Sequence, residues 1–356
     1  MNTTTIDSLA ARVERLGVAL APNGDASEVE GILNPASART RDGTLLIYPR
    51  CVAGGNVSRV GLVEASGEPA NPAFARLGFA LEPQSPSELR GTPGGYGCED
   101  PRVTFVPLLD SYVMAYTAFG PAGPRIAIAL SREGYVWDRL GVVDFSGTGR
   151  LDGDDKDGVF FPEPVTSPSG VKSLALYHRP MTHFFAPDGR AAAQIALERP
   201  HSERECTRIA YIPLDAVLAD RRALLAPVES VCVLETVDAW GAVKNGAGTP
   251  PVRIAEGWFS LFHGVDAISN ADGTLRGLVY SAGMVVHDAE RPHLVRYRSP
   301  EPVFAPTTPG ERKGVVSDVV FPTAIDRRPG ASERDFDVYY GMADALVGRV
   351  RIVLDD

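Results

Sequence analysis

The sequence predicts an all-β fold, a five-bladed β-propeller preceded by a short N-terminal helical extension. Three observations support this prediction. The 36 glycines and 29 prolines are scattered along the 356 residues as turn signals. Between them lie short runs rich in valine, isoleucine, phenylalanine and tyrosine, which are typical of many short strands. These runs gather into five clusters, as repeated blades would.

Only two segments favour helix. The N-terminal extension, residues 1–30, contains the stretch from Ile6 to Leu16, in which Leu9, Val13 and Leu16 recur at helical spacing. A second and weaker helix is predicted from Leu214 to Leu225. Residues 31–356 are predicted to form the propeller as one domain.

Each of the five clusters has room for three or four strands within a span on the order of 40 residues. A β-sandwich is the competing architecture, and five similar clusters weigh against it. The long segments Gly78–Gly97 and Leu225–Glu256 are expected to be insertions between clusters. The clusters run from Gly31 to Ala65, Asp100 to Val143, Val159 to Ile212, Trp258 to Val295, and Val315 to Val353.

Composition limits the partners of the protein. The formal net charge is -10 and the pI is near 5.2, which disfavours binding to nucleic acid or to an anionic membrane. No apolar run approaches the length of a membrane span, and the N-terminus lacks the apolar segment of a secretory signal. The four cysteines form no CxxC pair, so we expect reduced thiols, no structural zinc and a cytoplasmic protein.

The sharpest chemical motif is Gly97-Cys98-Glu99-Asp100-Pro101-Arg102. Pro101 biases Asp100 away from the helical region, so an extended strand is expected. On such a strand Glu99 and Asp100 point to opposite faces, and only one of them can face a given pocket. From these residues alone, a strand-entry turn with a structural Asp–Arg pair is the favoured alternative.

Three further clusters carry polar groups at strand ends. Tyr177-His178-Arg179-Pro180 suits a phosphate or a carboxylate, and Phe262-His263-Gly264 is similar. Tyr339 to Asp344 combines two aromatic residues with a carboxylate, which suits a sugar. Lys156, in a loop that enters a strand, is placed to face an anion. Each cluster also has a purely structural interpretation.

In this order along the chain, the motifs resemble those of glycoside hydrolase family 130, the β-mannoside phosphorylases and related mannosidases. The resemblance runs from about residue 31 to residue 345. The matching pieces are Asn34-Pro35 before LLIYPR, then SRVGL, GCEDPRVT, DKDGVFFPE, YHRP, GWFSLFHGV, VVFPTA and YYGMAD.

The resemblance implies a catalytic five-bladed propeller with its active site on the central axis. It implies an inverting mechanism in which Asp100 is the proton donor and works through the 3-hydroxyl of the sugar. Inorganic phosphate, a co-substrate, attacks the anomeric carbon from the opposite face and releases mannose 1-phosphate. The partners implied are a β-mannoside oligosaccharide and phosphate, with no metal and no cofactor. A homo-oligomer is compatible with the sequence.

The resemblance also implies roles for individual residues. The residues assigned to phosphate are Arg50, Lys156, His178, Arg179 and His263. The residues assigned to the sugar are Asn34, Arg59, Arg102, Tyr340 and Asp344, of which Arg102 also orients Asp100.

Two alternatives remain open. An inverting β-mannosidase of the same family would use water, and Glu163 and Glu256 are the carboxylates to examine for it. A noncatalytic sugar-binding propeller would show stacking aromatic residues without a functional acid. The basic residues Arg50, His178 and Arg179 favour phosphorolysis. The linkage and the acceptor sugar are not predicted.

Overall fold

The computed structural model describes residues 5–68, 71–92, 94–150, 153–182 and 191–355. Within these residues the chain is nearly all β, which confirms the predicted all-β character, and its strands form four sheets. None of the helices in this part of the chain is long and apolar enough to cross a bilayer.

The first strand of the chain is β1 (Ala11–Leu20). The strands that follow it form the largest sheet, which combines two antiparallel strand groups. They are joined where Val57–Ser58 of one pairs in parallel with Tyr96–Gly97 of the other. The first group contains β2 (Gly31–Arg39), β3 (Leu45–Ala53), β4 (Val57–Ser66) and β5 (Ala73–Leu81). The second group contains β6 (Tyr96–Val106), β7 (Ser111–Gly120), β8 (Gly123–Ser131) and β9 (Asp138–Val142).

The other three sheets follow one another along the chain. The third group contains β10 (Asp155–Phe160), β11 (Val165–Thr166), β12 (Lys172–Pro180), β13 (Thr207–Pro213) and β14 (Glu229–Leu234). The fourth contains β15 (Lys244–Ala247), β16 (Val252–Ile254), β17 (Gly257–Ser269), β18 (Leu275–His287) and β19 (Val295–Arg298). The fifth contains β20 (Val320–Arg327), β21 (Asp335–Met342), β22 (Leu346–Leu354) and, beside β22, β1.

The predicted helix from Ile6 to Leu16 is wrong. Residues from Ala11 onward form β1, which pairs antiparallel with β22 from Ala11 opposite Leu354 to Leu20 opposite Val347. Burial alternates at the start of this strand, with every second residue turned inward. Pairing with the last strand of the chain provides backbone hydrogen bonds across the sheet. These outweigh the preference for helix that the spacing of the apolar residues indicates. The division of the chain at residue 30 stays a prediction.

The three α-helices are short: α1 (Ala192–Leu197), α2 (Leu214–Ala219) and α3 (Pro309–Arg312). The second predicted helix is confirmed in part, since α2 is followed by a 3₁₀ turn at Arg221–Leu225. The segment Leu225–Glu256 is not a plain loop, because it contains β14, β15 and β16.

The apolar core lies between neighbouring strand groups. Separate buried clusters join the first group to the second, the second to the third, the third to the fourth, the fourth to the fifth, and the fifth back to the first. The last of these contains Ile32 and Val63 of the first group with Tyr339 and Val347 of the fifth. Each group therefore buries apolar residues against both of its neighbours.

Candidate active site

A cavity of about 230 Å³ contains seven of the residues that the sequence singled out. A larger surface cavity of about 380 Å³, beside Arg39 and Asp337, contains none of these seven. The smaller cavity is therefore the candidate active site and is called the pocket below. Its lining residues are Asn34, Arg50, Asp100, Lys156, Asp157, Arg179, Met181, Lys244, His263, Tyr280, Val316, Val319, Phe321 and Asp344.

Four pocket residues have a left-handed backbone that non-glycine residues seldom adopt. The φ angles are 41° at Asn34, 46° at Asp100, 59° at Asp157 and 50° at Asp344. The first three lie at irregularities in the strand register of β2, β6 and β10, the first strand of each of three groups. Such a conformation costs about 1–3 kcal/mol per residue, and bulges of this kind redirect side chains. The surrounding sheets therefore stabilise strained positions that turn polar groups into the pocket.

The bulge in β6 changes the expected geometry of the acid pair. We expected Glu99 and Asp100 to point to opposite faces, with only one of them facing a given pocket. Only Asp100 lines the pocket, but both carboxylates contact the same guanidinium. Arg50 contacts both, with Nη2 2.9 Å from Glu99 Oε1 and Nη1 3.2 Å from Asp100 Oδ1. The Lys156 Nζ atom lies 3.1 Å from Glu99 Oε2. The left-handed turn at Asp100 breaks the alternation of an extended strand, so both carboxylates face the same cations.

The Asp100 carboxylate is embedded among positive charges. Asn34 donates a hydrogen bond from Nδ2 to Asp100 Oδ1 at 2.9 Å. Burial by itself would raise the pKa of Asp100, but the charges of Arg50, Lys156 and Arg102 outweigh it and lower the pKa below its usual value. Asp100 is therefore ionised at neutral pH.

A second carboxylate of the pocket, Asp157, holds Arg179. Arg179 donates from Nε to Asp157 Oδ2 at 2.6 Å, and another nitrogen of the same guanidinium pairs with Glu205. The His263 Nε2 atom lies 3.8 Å from Asp157 Oδ2. The Lys244 Nζ atom lies 5.8 Å from the centroid of the Tyr280 ring. The two carboxylates fix the direction of the Arg179 side chain.

Two pocket groups have pKa values displaced by burial. Desolvation lowers the pKa of His263 to about 3, although Asp157 opposes the shift, so this imidazole is neutral at physiological pH. Desolvation and the nearby charge of Asp100 raise the pKa of Asp344 to about 6, against the effect of Arg50. Asp344 can therefore exchange a proton near neutral pH.

Arg102 lies beneath the pocket, fully buried, and cannot contact a sugar, which corrects its assignment as a sugar ligand. It donates to the backbone oxygens of Asp100 at 3.2 Å and Ala247 at 3.1 Å, and its Nη2 atom lies 3.3 Å from Asp157 Oδ1. It thus holds the main chain of Asp100, not the carboxylate.

The structure does not bring His178 into the pocket, so its assignment to phosphate is corrected. Its Nδ1 atom lies 2.7 Å from Asp155 Oδ2, its Nε2 atom lies 2.8 Å from Ser230 Oγ, and its ring stacks on Phe145. Neighbouring residues on a strand face opposite ways. Because Arg179 points into the pocket, His178 points away from it.

Tyr340 and Arg59 also lie outside the pocket, contrary to their assignment as sugar ligands. Tyr340 is buried in the core, where its hydroxyl donates to Glu311 Oε1 at 2.8 Å. The Arg59 Nε atom lies 3.4 Å from Glu82 Oε1, and the guanidinium lies over the ring of Phe79. Tyr340 is needed for packing, and Arg59 forms a surface ion pair.

Sequence reasoning missed Asp157, Lys244, Tyr280 and Glu205. Asp157 had a usable signal, because Asp157-Gly158 matches Asn34-Pro35 and Asp100-Pro101, each an Asn or Asp before a conformationally special residue. The other three carry no local motif. Within the described residues no group of His, Cys, Asp and Glu side chains is arranged to hold a metal ion.

Comparison with known proteins shows the family to which the chain belongs. The sequence model of one family, glycoside hydrolase family 130, described as beta-1,4-mannooligosaccharide phosphorylase, matches residues 12–356. A 1,2-beta-oligomannan phosphorylase of Thermoanaerobacter sp. is 28% identical over 87% of this chain and 83% of its own length. A beta-1,4-mannooligosaccharide phosphorylase of Ruminococcus albus is 34% identical over 35% of each chain.

Solved structures show the same fold. The beta-1,2-mannobiose phosphorylase of Listeria innocua, in complex with beta-1,2-mannobiose, has a TM-score of 0.69 at 17% identity, covering 95% of this chain and 96% of the other. A second structure also has a TM-score of 0.69, at 19% identity, covering 98% and 96%. It comes from work on glycoside hydrolases that target beta-1,2 mannosidic linkages in Candida mannan.

Proposed function

Because this chain belongs to glycoside hydrolase family 130, we propose that it catalyses the reversible, inverting phosphorolysis of a β-mannoside. The products are mannose 1-phosphate and a sugar shortened by one unit. The observation that carries the proposal is that one pocket holds Asp100 together with Arg50, Lys156 and Arg179. Phosphorolysis needs an acid for the leaving group and fixed cations for a phosphate.

We propose that the five strand groups are the five blades of a propeller whose axis passes through the pocket. Two observations support this. The buried clusters link the groups in a ring that returns from the fifth group to the first. In addition, β1 joins β22, so strands from both ends of the chain complete one sheet.

Asp100 is the proposed proton donor, and bound phosphate favours its protonated form. Arg50 and Lys156 lower the pKa of Asp100, which favours the ionised form. A phosphate bound beside these cations offsets their charge, so the pKa of Asp100 rises and the carboxyl can carry a proton. The protonated acid then donates its proton to the leaving oxygen by way of a hydroxyl group of the mannosyl unit. Phosphate binding and acid catalysis are thereby coupled.

Different residues of the pocket suit the two substrates. Asn34 and Asp344 lie near Asp100 and suit the hydroxyl groups of the mannosyl unit, because an amide donates and a carboxylate accepts. Arg179 and Lys244, together with Arg50 and Lys156, suit phosphate. His263, which is neutral, contributes a hydrogen bond and not a charge.

Water is a weaker candidate for the nucleophile. Glu163 is exposed, and Glu256 pairs with Arg334; neither lines the pocket. A noncatalytic sugar-binding role is also weaker, since Tyr340, the aromatic residue assigned to sugar, is buried in the core. The charged side chains of the pocket favour chemistry on an anion.

The test is to incubate the protein with β-1,2- and β-1,4-mannobiose, with and without inorganic phosphate. We expect mannose 1-phosphate only when phosphate is present. Asp100→Asn should abolish this product, whereas Asp110→Asn, a matched left-handed aspartate on the exposed surface, should retain it. Release of free mannose at the same rate without phosphate would contradict phosphorolysis, and an active Asp100→Asn variant would contradict the acid.

A further inference from the structure

Two of the four cysteines lie in contact on neighbouring strands. The Sγ atoms of Cys206 and Cys232 are 2.8 Å apart, and both thiols are free. Cys206 immediately precedes β13, and Cys232 lies in β14, where it is paired with Arg208 of β13. The strand register is irregular between Thr207 and Arg208, which is where the two side chains meet. A disulfide requires a sulfur separation of about 2.05 Å, so a small movement would close the bond.

The surroundings of this pair suit thiol chemistry. The hydrogen bond from Cys232 lowers the pKa of the Cys206 thiol, burial opposes this, and the charge of Arg208 lowers it further. Cys232 is half-buried on an edge strand of its sheet, which leaves a path for a small reagent. Cys206 is buried, as Cys51 and Cys98 are, but burial raises the pKa of the Cys51 and Cys98 thiols, whereas the pKa of Cys206 is lowered.

The pair is connected to the pocket wall through the preceding residue. Glu205 pairs through its carboxylate with Arg179, and the same carboxylate accepts from the backbone N–H of Thr182 at 3.1 Å. The Glu205 backbone oxygen accepts from the N–H of Asn245 at 3.1 Å, next to Lys244 of the pocket. Movement of Cys206 toward β14 would displace Glu205 and lengthen each of these contacts.

We propose that Cys206 and Cys232 are a redox-active dithiol that closes reversibly into a disulfide and, through Glu205, weakens phosphate binding at Arg179. The Cys206 thiolate attacks one sulfur of a small-molecule disulfide and forms a mixed disulfide, releasing one small thiol. Cys232 then attacks the sulfur of Cys206 and releases the second small thiol. The protein loses two electrons and two protons, which the small disulfide takes up as it becomes two thiols.

The primary test needs no substrate. The protein is treated with glutathione disulfide and examined by intact mass, and is then unfolded, alkylated and examined by peptide mapping. We expect a fall of about 2 Da before alkylation, for the two hydrogens lost, two thiols that escape alkylation, and a peptide that joins Cys206 to Cys232. Dithiothreitol should restore both thiols. Cys206→Ser and Cys232→Ser should each prevent the change, and Cys51→Ala should not. Four alkylated thiols after treatment, or a link through another cysteine, would overturn the proposal.

The coupling to the pocket, which rests on the proposed function, is tested by calorimetric titration with inorganic phosphate. Oxidation should raise the phosphate Kd on the order of fivefold, the low end of typical coupling between sites. Oxidant-treated Cys206→Ser should show no such rise. A closed disulfide with an unchanged phosphate Kd would overturn the coupling. A reduced protein that binds no phosphate would contradict the proposed function and the coupling, whereas the mass result stands independently.

Discussion

Replacing Asp344 by Asn should make the protein more stable and less active. The side chain lies in the pocket with a left-handed backbone, φ 50°, which Asn tolerates as well as Asp. Burial and the charge of Asp100 raise the pKa of Asp344 from 3.8 to about 6. The folded protein therefore contains a carboxylate that is more costly to ionise than in the unfolded chain.

The magnitude follows from this difference in pKa. A difference of roughly two units corresponds to about 3 kcal/mol, at about 1.4 kcal/mol per unit. Partial access to solvent reduces the expected gain to about 1–3 kcal/mol. Because the folded pKa is raised, the favourable contribution of the wild-type carboxyl is fully present below pH 3.8 and is lost as the pH rises through about 6. The variant should gain stability above pH 6 and little below pH 4.

The assay is urea unfolding of both proteins at pH 4, 6 and 8, together with initial rates of mannose 1-phosphate formation. Asp110→Asn is the control, because Asp110 is also left-handed but its pKa is lowered by Arg41. An increase in the free energy of unfolding that is the same at pH 4 and pH 8, or no increase at pH 8, would refute the electrostatic reasoning. Full activity of Asp344→Asn would refute its contact with the sugar.

Three further variants test the site and its support. Asp157→Asn removes a buried charge that holds Arg179, so the free energy of unfolding should fall by about 3–5 kcal/mol and the phosphate KM should rise; unchanged values in urea unfolding and initial rates would contradict this. Tyr340→Phe should lose only its hydrogen bond to Glu311, about 1–2 kcal/mol in urea unfolding, with kcat/KM for the mannoside unchanged; a large fall in kcat/KM would restore it as a sugar ligand. Gly97→Ala, at φ 123°, would place a methyl group against a backbone oxygen of the adjacent strand and should lower the unfolding midpoint; an unchanged midpoint would show that the strand junction adjusts freely.

Much of the site could be predicted because its residues belong to short local motifs that resemble those of a known family. Asn34, Asp100, Arg179 and Asp344 are all found in one pocket, although up to about 300 residues of chain separate them. The assignment of His178 failed for a reason that the sequence already contained. Once Arg179 faces the pocket, strand alternation turns its neighbour the other way.

The sequence by itself determined the all-β character, through its punctuation by glycine and proline, and the order of the chemical motifs along the chain. Tertiary structure alone decided that residues 11–20 form a strand, because the partner of β1 is the last strand of the chain. It also decided that Glu99 and Asp100 share Arg50, since this requires a bulge that breaks strand alternation. Local spacing specifies which way side chains alternate, but only packing of distant strands can stabilise the strained residues that depart from it.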